Sequence, residues 1–192
     1  MNNIMHETTI DRTTSALHHH IPCLDHQHMA TCIKEPVVRW GTQQHRTYAG
    51  TYTFYDSAKL NALMSKPGLI QHSNCAMAIE PSDAMHFTDE NAALQHIRAK
   101  RSISQLWQSM GIDIIIDLNI HNEYQHFNLC NVPKNTTVFA SKMHGHDIDS
   151  VDIQYYTARR YVDADEITFA VYGTQPYLEA LCIDRGWLWL PA

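Results

Sequence analysis

Long hydrophobic runs are absent from this sequence of 192 residues. A membrane-spanning helix needs about 18 or more consecutive apolar residues, and no stretch provides them, so we expect no membrane partner. Residues 1–20 contain no basic segment followed by an apolar run, and they are therefore not predicted to be a secretory signal. The net charge of -6 gives no overall attraction to nucleic acid, although it does not exclude a local basic patch.

Glycine-rich phosphate loops of the Walker or dinucleotide type are also absent. This argues against a P-loop nucleotide hydrolase and against an enzyme that uses a nicotinamide cofactor. The five cysteines are an odd and scattered set, which fits reduced thiols better than a disulfide framework. We therefore expect a cytoplasmic protein.

The length suits a single domain with a substantial core. We predict a variable, histidine-rich leader over residues 1–36 and an α/β domain over residues 37–192. Within the leader, Cys23, His26, His28 and Cys32 are the side-chain types that bind tetrahedral zinc. The paired Cys-x-x-Cys knuckles of zinc folds are missing, so a partly disordered leader without metal is the other interpretation.

Short apolar runs alternate with amphipathic segments from about residue 37 onward. This pattern predicts parallel strands joined by helices, either in an open doubly wound sheet or in a partial TIM-like barrel. The clearest strands are predicted at 75–79, 112–116, 137–140, 167–171 and 187–190, with candidates at 37–40 and 52–54. Long helices are predicted from about 88 to 110 and from 151 to 162, and a last helix ends at Gly186.

Polar side chains follow several of these strands, where parallel sheets place their ligand sites. Glu80, Asp83, Asp117 and Asn119 are candidate catalytic residues around a divalent cation, with Glu80 and Asp117 as its ligands. Arg101, on the long helix, is a candidate for holding an anion. Candidate substrate-binding residues are Arg98, Lys142, His144, Tyr172 and Gly173. The competing interpretation is that the acids and amides cap helices or form turns, and that the arginines lie on a solvated face.

An ordered set of short motifs extends across roughly residues 75–190. It comprises Glu80-Pro-Ser-Asp83, Lys100-Arg101, Trp107-Gln108, Gly111-Ile112, Asp117-Leu-Asn119, Val132-Pro133, Tyr172-Gly173 and Gly186-Trp187. In this order the motifs resemble the phage- and plasmid-associated domain of unknown function 4417. The resemblance implies mobile-element origin in a bacterial host and a role in replication, transfer or host takeover; the family brings no established activity.

Two functions therefore stand as hypotheses. One is cation-assisted phosphoryl or phosphodiester chemistry at the strand ends, and the other is non-catalytic binding of nucleic acid, a nucleotide or a host protein. A third pattern, His144 and His146 ahead of Tyr155 and Tyr156, is similar to the metal and nucleophile residues of rolling-circle nucleases. It lacks the bulky apolar residue expected where Gly145 stands.

Overall fold

The computed structural model describes residues 20–41, 49–55, 62–82 and 89–191. The candidate Asp83 lies outside the described residues, as does the first part of the predicted leader. No helix within these ranges is both long enough and apolar enough to cross a membrane.

The described residues contain one sheet of seven strands, which are hydrogen-bonded in sequence order and are all parallel. The strands are β1 Val37–Arg39, β2 Gly50–Thr53, β3 Cys75–Ile79, β4 Asp113–Asp117, β5 Val138–Lys142, β6 Thr168–Tyr172 and β7 Leu188–Leu190. The prediction of an α/β fold with a mostly parallel sheet is therefore confirmed. Both candidate strands before residue 75 belong to the sheet.

The sheet is curled into a partial barrel. Tyr55, two residues beyond β2, has the Nζ atom of Lys142 on β5 only 3.0 Å from its ring centroid. In a flat sheet, three strand spacings of about 4.8 Å would keep β2 and β5 about 14 Å apart. Of the two predicted arrangements, the structure has the barrel-like one, because a doubly wound sheet does not follow sequence order.

Helices cover the outside of the sheet, and those with both ends in the described residues are α1 Glu90–Ser109, α2 Gln125–Asn128, α3 Ile148–Tyr161 and α4 Leu178–Arg185. A further helical segment includes residues 62–65. The long helices begin at aspartate caps: Asp89 accepts a hydrogen bond from the amide of Ala92, and Asp147 accepts one from Ser150. Gly186, at φ 69°, provides the left-handed turn that ends α4. The predicted start near residue 88 and the predicted end at Gly186 agree with the structure, whereas α3 begins at Ile148 and not at the predicted residue 151.

Successive residues of each strand face opposite sides of the sheet, so the protein has one hydrophobic core on each face. Outward-facing residues such as Ile114, Ile116 and Phe139 pack against the helices, together with the fully buried Trp107 of α1. Inward-facing residues such as Ile79 and Ile115 form a smaller apolar layer inside the half-barrel. Both faces of the sheet are thus buried, which is why the three central residues of β4 are all isoleucine.

Residues 20–36, which belong to the predicted leader, pack against the domain. Ile21 joins a buried cluster with Leu94 of α1, and the amide of Ala30 donates to the carbonyl of Ile114 at 2.9 Å. Gln108 of α1 donates to the carbonyls of Asp25 and His28, at 3.0 Å in each case. This part of the segment fixes one end of the half-barrel, while the boundary at residue 36 stays a prediction.

The start of β2 has no space for a side chain. A Cβ atom at Gly50 would lie 2.2 Å from the backbone oxygen of Pro36, so the chain leading into β1 would have to move. We expect Gly50→Ala to lower the free energy of unfolding by about 1–3 kcal/mol, measured by urea denaturation. Gly68 is the matched control, because its Cβ would meet nothing within 4 Å. Equal stability of the two variants would contradict this close contact.

Candidate functional site

Polar side chains continue the inward-facing rows of the strands beyond the apolar layer. They gather at the carboxyl ends of the strands, which form the mouth of the half-barrel. Those that line or border it are Arg39, Thr53, Tyr55, Asp117, Asn119, Lys142, His144, Tyr172 and Thr174. Ligand sites in parallel sheets lie at the carboxyl ends of the strands, and polar groups do cluster there in this structure. Several predicted site residues belong to this cluster.

A cavity of about 220 Å³ opens at this mouth, and we call it the mouth cavity. It is lined by Arg39, Thr53, Tyr55, Lys142, Tyr172, Gly173, Thr174 and Gln175. Two of these side chains are cationic, four carry hydroxyl groups, and no carboxylate is among the described lining residues. The lining therefore favours an anion with hydrogen-bonding oxygens.

Asp117 lies behind the cavity wall, fully buried at the end of β4. Its Oδ1 atom accepts from the backbone amide of Asn119 at 2.8 Å, and its Oδ2 atom accepts from the hydroxyl of Tyr172 at 2.5 Å. Burial raises the pKa of Asp117, against the opposing effects of Lys100 and of these hydrogen bonds. Burial and the neighbouring Asp117 raise the pKa of Tyr172 well above its usual range, so its hydroxyl stays protonated.

Asn119 connects three strand ends through its side chain. Its Nδ2 atom donates to Oγ of Ser82 at 3.1 Å, and Ser82 donates in turn to the backbone oxygen of Asn119 at 3.1 Å. Because Nδ2 is used in this way, Oδ1 is the acceptor that faces Nε2 of His144 at 2.8 Å. His144 therefore carries its proton on Nε2 when neutral. Its ring also lies beside Tyr55, with centroids 5.5 Å apart.

Glu80 has a different role from the predicted one. Its carboxylate is fully buried and forms a short contact with the guanidinium of Arg101, while Nζ of Lys100 lies 3.6 Å from its other oxygen. The hydroxyl of Ser104 donates to it at 3.0 Å, and the amide of Asp117 at 3.3 Å. Burial opposes ionisation, but Arg101 and Lys100 outweigh it and hold the pKa of Glu80 below its usual range. The carboxylate oxygens thus serve an ion pair and not a cation site.

The pleat of the sheet explains why Glu80 and Asp117, the two acids predicted to share a cation, face opposite sides of the sheet. Ile79 is paired with Ile115, and both face into the half-barrel. Glu80, one residue beyond Ile79, therefore faces outward toward α1. Asp117, two residues beyond Ile115, faces inward. The sequence prediction placed both acids at strand ends but did not assign them to a face.

Within the described ranges, no group of three or more histidine, cysteine, aspartate or glutamate side chains is arranged to hold a metal ion. The proposed zinc ligands are not brought together: Cys23 and Cys32 are exposed, His26 lies beside Asp25, and Nδ1 of His28 lies 3.5 Å from Asp113. Glu80, a predicted ligand of a cation at the strand ends, instead forms an ion pair with Arg101. Asp83 lies outside the described residues, so its role stays a prediction.

The two arginines predicted to hold a ligand lie on α1, away from the mouth cavity. Arg101 is fully buried and binds Glu80 and the backbone oxygen of Asn128, so it does not face a ligand. Arg98 is partly buried, and its binding role stays a prediction. Lys142, Tyr172 and Gly173 do line the mouth cavity, and His144 lies at its border.

The arrangement expected of a rolling-circle nuclease is not formed. Tyr155 packs against the rings of Phe169 and Trp187, with centroids 5.3 and 5.6 Å away, in the outer core. His146 stacks on Tyr177 at 4.9 Å and does not pair with His144. A tyrosine held in the core on the helix side cannot attack a phosphate at the mouth.

Comparison of the chain with family models, curated proteins and solved structures found no match. The site is therefore interpreted from its own geometry.

Five lining residues were missed from the sequence: Arg39, Thr53, Tyr55, Thr174 and Gln175. The signal for the first three is weak, because β1 and β2 have only three and four residues. Alternation gives a partial clue, since Val37 and Arg39 share one face, as do Thr51, Thr53 and Tyr55. What the sequence could not indicate is the curvature that brings β1 and β2 opposite β5.

Proposed function

We propose that the protein binds the phosphoryl group of a small molecule or nucleotide in the mouth cavity. The supporting observation is the pair of cationic side chains, Arg39 from β1 and Lys142 from β5, that line one cavity together with four hydroxyl groups. A guanidinium fork and an ammonium group are the common partners of phosphate oxygens. The hydroxyl groups of Thr53 and Thr174 add donors that suit the same ligand.

The size of the cavity limits the ligand. Sites for drug-sized molecules usually have volumes of about 300–1,000 Å³, so the mouth cavity accepts a phosphoryl group with a few further atoms. A nucleotide would leave its base outside. In this proposal the two cationic side chains supply the positive charge that the sequence analysis assigned to a divalent cation.

Binding without catalysis is the form of the hypothesis that this geometry supports best, because Glu80 and Arg101 neutralise each other away from the cavity. A role in the replication or transfer of a mobile element, implied by the family resemblance, remains part of the proposal. A nucleotide ligand would fit such a role.

Isothermal titration calorimetry with inorganic phosphate and with AMP, at constant ionic strength, tests the proposal. We expect Lys142→Met to weaken both affinities about tenfold or more, because a charge-assisted hydrogen bond contributes about 1.5–3 kcal/mol. The matched control is Lys134→Met: Lys134 also lies over a tyrosine ring, 3.3 Å from the centroid of Tyr161, but not at the mouth cavity.

Two results would overturn the proposal: no binding to the wild-type protein, or equal weakening by both lysine substitutions. Phosphorus NMR spectra of AMP incubated with the protein separate binding from catalysis. No signal of inorganic phosphate or of another product is expected to appear, and cleavage of AMP would revive the enzymatic hypothesis.

A further inference from the structure

Two of the residues that line the mouth cavity, Tyr172 and Gln175, carry side-chain oxygens that can accept a hydrogen bond. The Tyr172 hydroxyl has a single proton, which it donates to Oδ2 of Asp117 at 2.5 Å. Its oxygen therefore has only lone pairs left for a ligand in the cavity. Arg39 and Lys142 can only donate hydrogen bonds. The lining therefore has donors at Arg39 and Lys142 and an acceptor at Tyr172.

The direction of the Tyr172 hydrogen bond depends on the ionised state of Asp117, and the surrounding charges support that state. Four ionisable side chains are buried together at this end of β3 and β4: Glu80, Lys100, Arg101 and Asp117. Nζ of Lys100 lies 3.6 Å from Glu80 and 2.8 Å from the backbone oxygen of Asp117. With Lys100 and Arg101 both cationic, the set is neutral when both acids are ionised.

Gln175 provides a second acceptor in the cavity lining. Its Nε2 atom donates to the carbonyl of Met143 at 3.1 Å, which fixes the orientation of the amide. Its Oε1 atom is buried and has no hydrogen-bond partner among the described residues. The amide folds back over Gly173, where a Cβ atom would lie 2.4 Å from Oε1, so a larger residue at this position would displace the amide. A buried acceptor without a partner is costly unless a ligand or water supplies a donor.

We infer that the mouth cavity selects phosphate esters that carry a hydroxyl group close to the phosphoryl group, as polyol and sugar phosphates do. Arg39 and Lys142 bind the phosphoryl oxygens, and the ligand hydroxyl donates to Tyr172 or to Oε1 of Gln175. This inference rests on the proposed function and names the class of ligand. A site built to accept a hydrogen bond rejects an analogue without the donor, because its buried acceptors stay unpaired.

Calorimetric titration with glycerol 3-phosphate and with propyl phosphate tests the inference, because the second ligand lacks both hydroxyl groups at the same chain length. We expect the wild-type protein to prefer glycerol 3-phosphate at least tenfold. Gln175→Met should reduce this preference, which is measured as the ratio of the two affinities within the same variant. Tyr172→Phe should do the same, and the glutamine variant covers the case in which the loss of Tyr172 unfolds the chain. Gln105→Met, an exposed change on α1, is the control and should keep the preference.

Equal affinity of the wild-type protein for the two esters would overturn the inference but leave phosphoryl binding intact. A preference that survives in both Gln175→Met and folded Tyr172→Phe would also overturn it. Failure of both esters to bind would instead contradict the proposed function and, with it, the inference.

Discussion

Replacing Arg101 by methionine should lower the free energy of unfolding by about 3–5 kcal/mol, because it leaves a buried carboxylate without its main partner. The side chains of Glu80 and Arg101 are both fully inaccessible to solvent. Arg101 also donates to the backbone oxygen of Asn128, and Nδ2 of Asn128 donates to the carbonyl of Asp117 at 3.0 Å. The substitution therefore loosens the attachment of α1 to both β3 and α2.

Urea denaturation followed by tryptophan fluorescence measures this effect. Arg160→Met, which removes an exposed charge from α3, is the matched control and should change stability by no more than about 0.5 kcal/mol. Ser104→Ala removes a hydrogen bond to the ionised Glu80 but no charge, and it should cost about 1.5–3 kcal/mol. This milder variant remains informative if Arg101→Met does not fold.

A double variant measures the interaction energy between Glu80 and Arg101 apart from the effect of each single substitution. Glu80→Gln combined with Arg101→Met removes both charges, so no unpaired ion is left in the core. We expect the double variant to lose clearly less stability than the sum of the two single variants. Strict additivity would show that Glu80 and Arg101 do not stabilise each other.

The same cluster shows what the sequence could and could not predict. The run Ile114, Ile115 and Ile116 predicts a strand covered on both faces, and Asp117 marks its carboxyl end. Both statements depend on neighbouring residues only, and the structure agrees with them. The roles of Glu80 and Arg101 depend instead on which face of β3 turns toward α1. One position along a strand reverses that face, so an error of one residue exchanges a ligand site for an ion pair.

The mouth cavity was harder to predict because it depends on contacts between distant segments. Lys142 and Tyr172 could be assigned to strand ends from their own surroundings. Arg39 and Tyr55 lie on or beside very short strands and approach Lys142 only because the sheet curls. The choice between a doubly wound sheet and a partial barrel therefore decides whether these residues meet, and the hydrophobic pattern is the same for both.

Acid should weaken the fold because His96 of α1 is held neutral. Burial, and to a lesser extent the nearby charge of Lys100, lower the pKa of His96 from 6.5 to about 4, although Glu80 acts in the opposite direction. Below pH 6.5 the unfolded chain therefore takes up a proton that the native protein accepts only near pH 4. The stability that neutral His96 provides is complete above pH 6.5, declines as the pH falls, and is lost below pH 4.

The expected loss attributable to His96 is about 3 kcal/mol between pH 7 and pH 4, because a pKa difference of one corresponds to about 1.4 kcal/mol. Urea denaturation of the wild type and of His96→Gln across this range measures it. The variant cannot take up the proton, so its stability should fall by about 3 kcal/mol less than that of the wild type. The exposed His72 provides the control, because His72→Gln should follow the wild-type curve. Parallel curves for the wild type and His96→Gln would show that His96 is not held neutral by its surroundings.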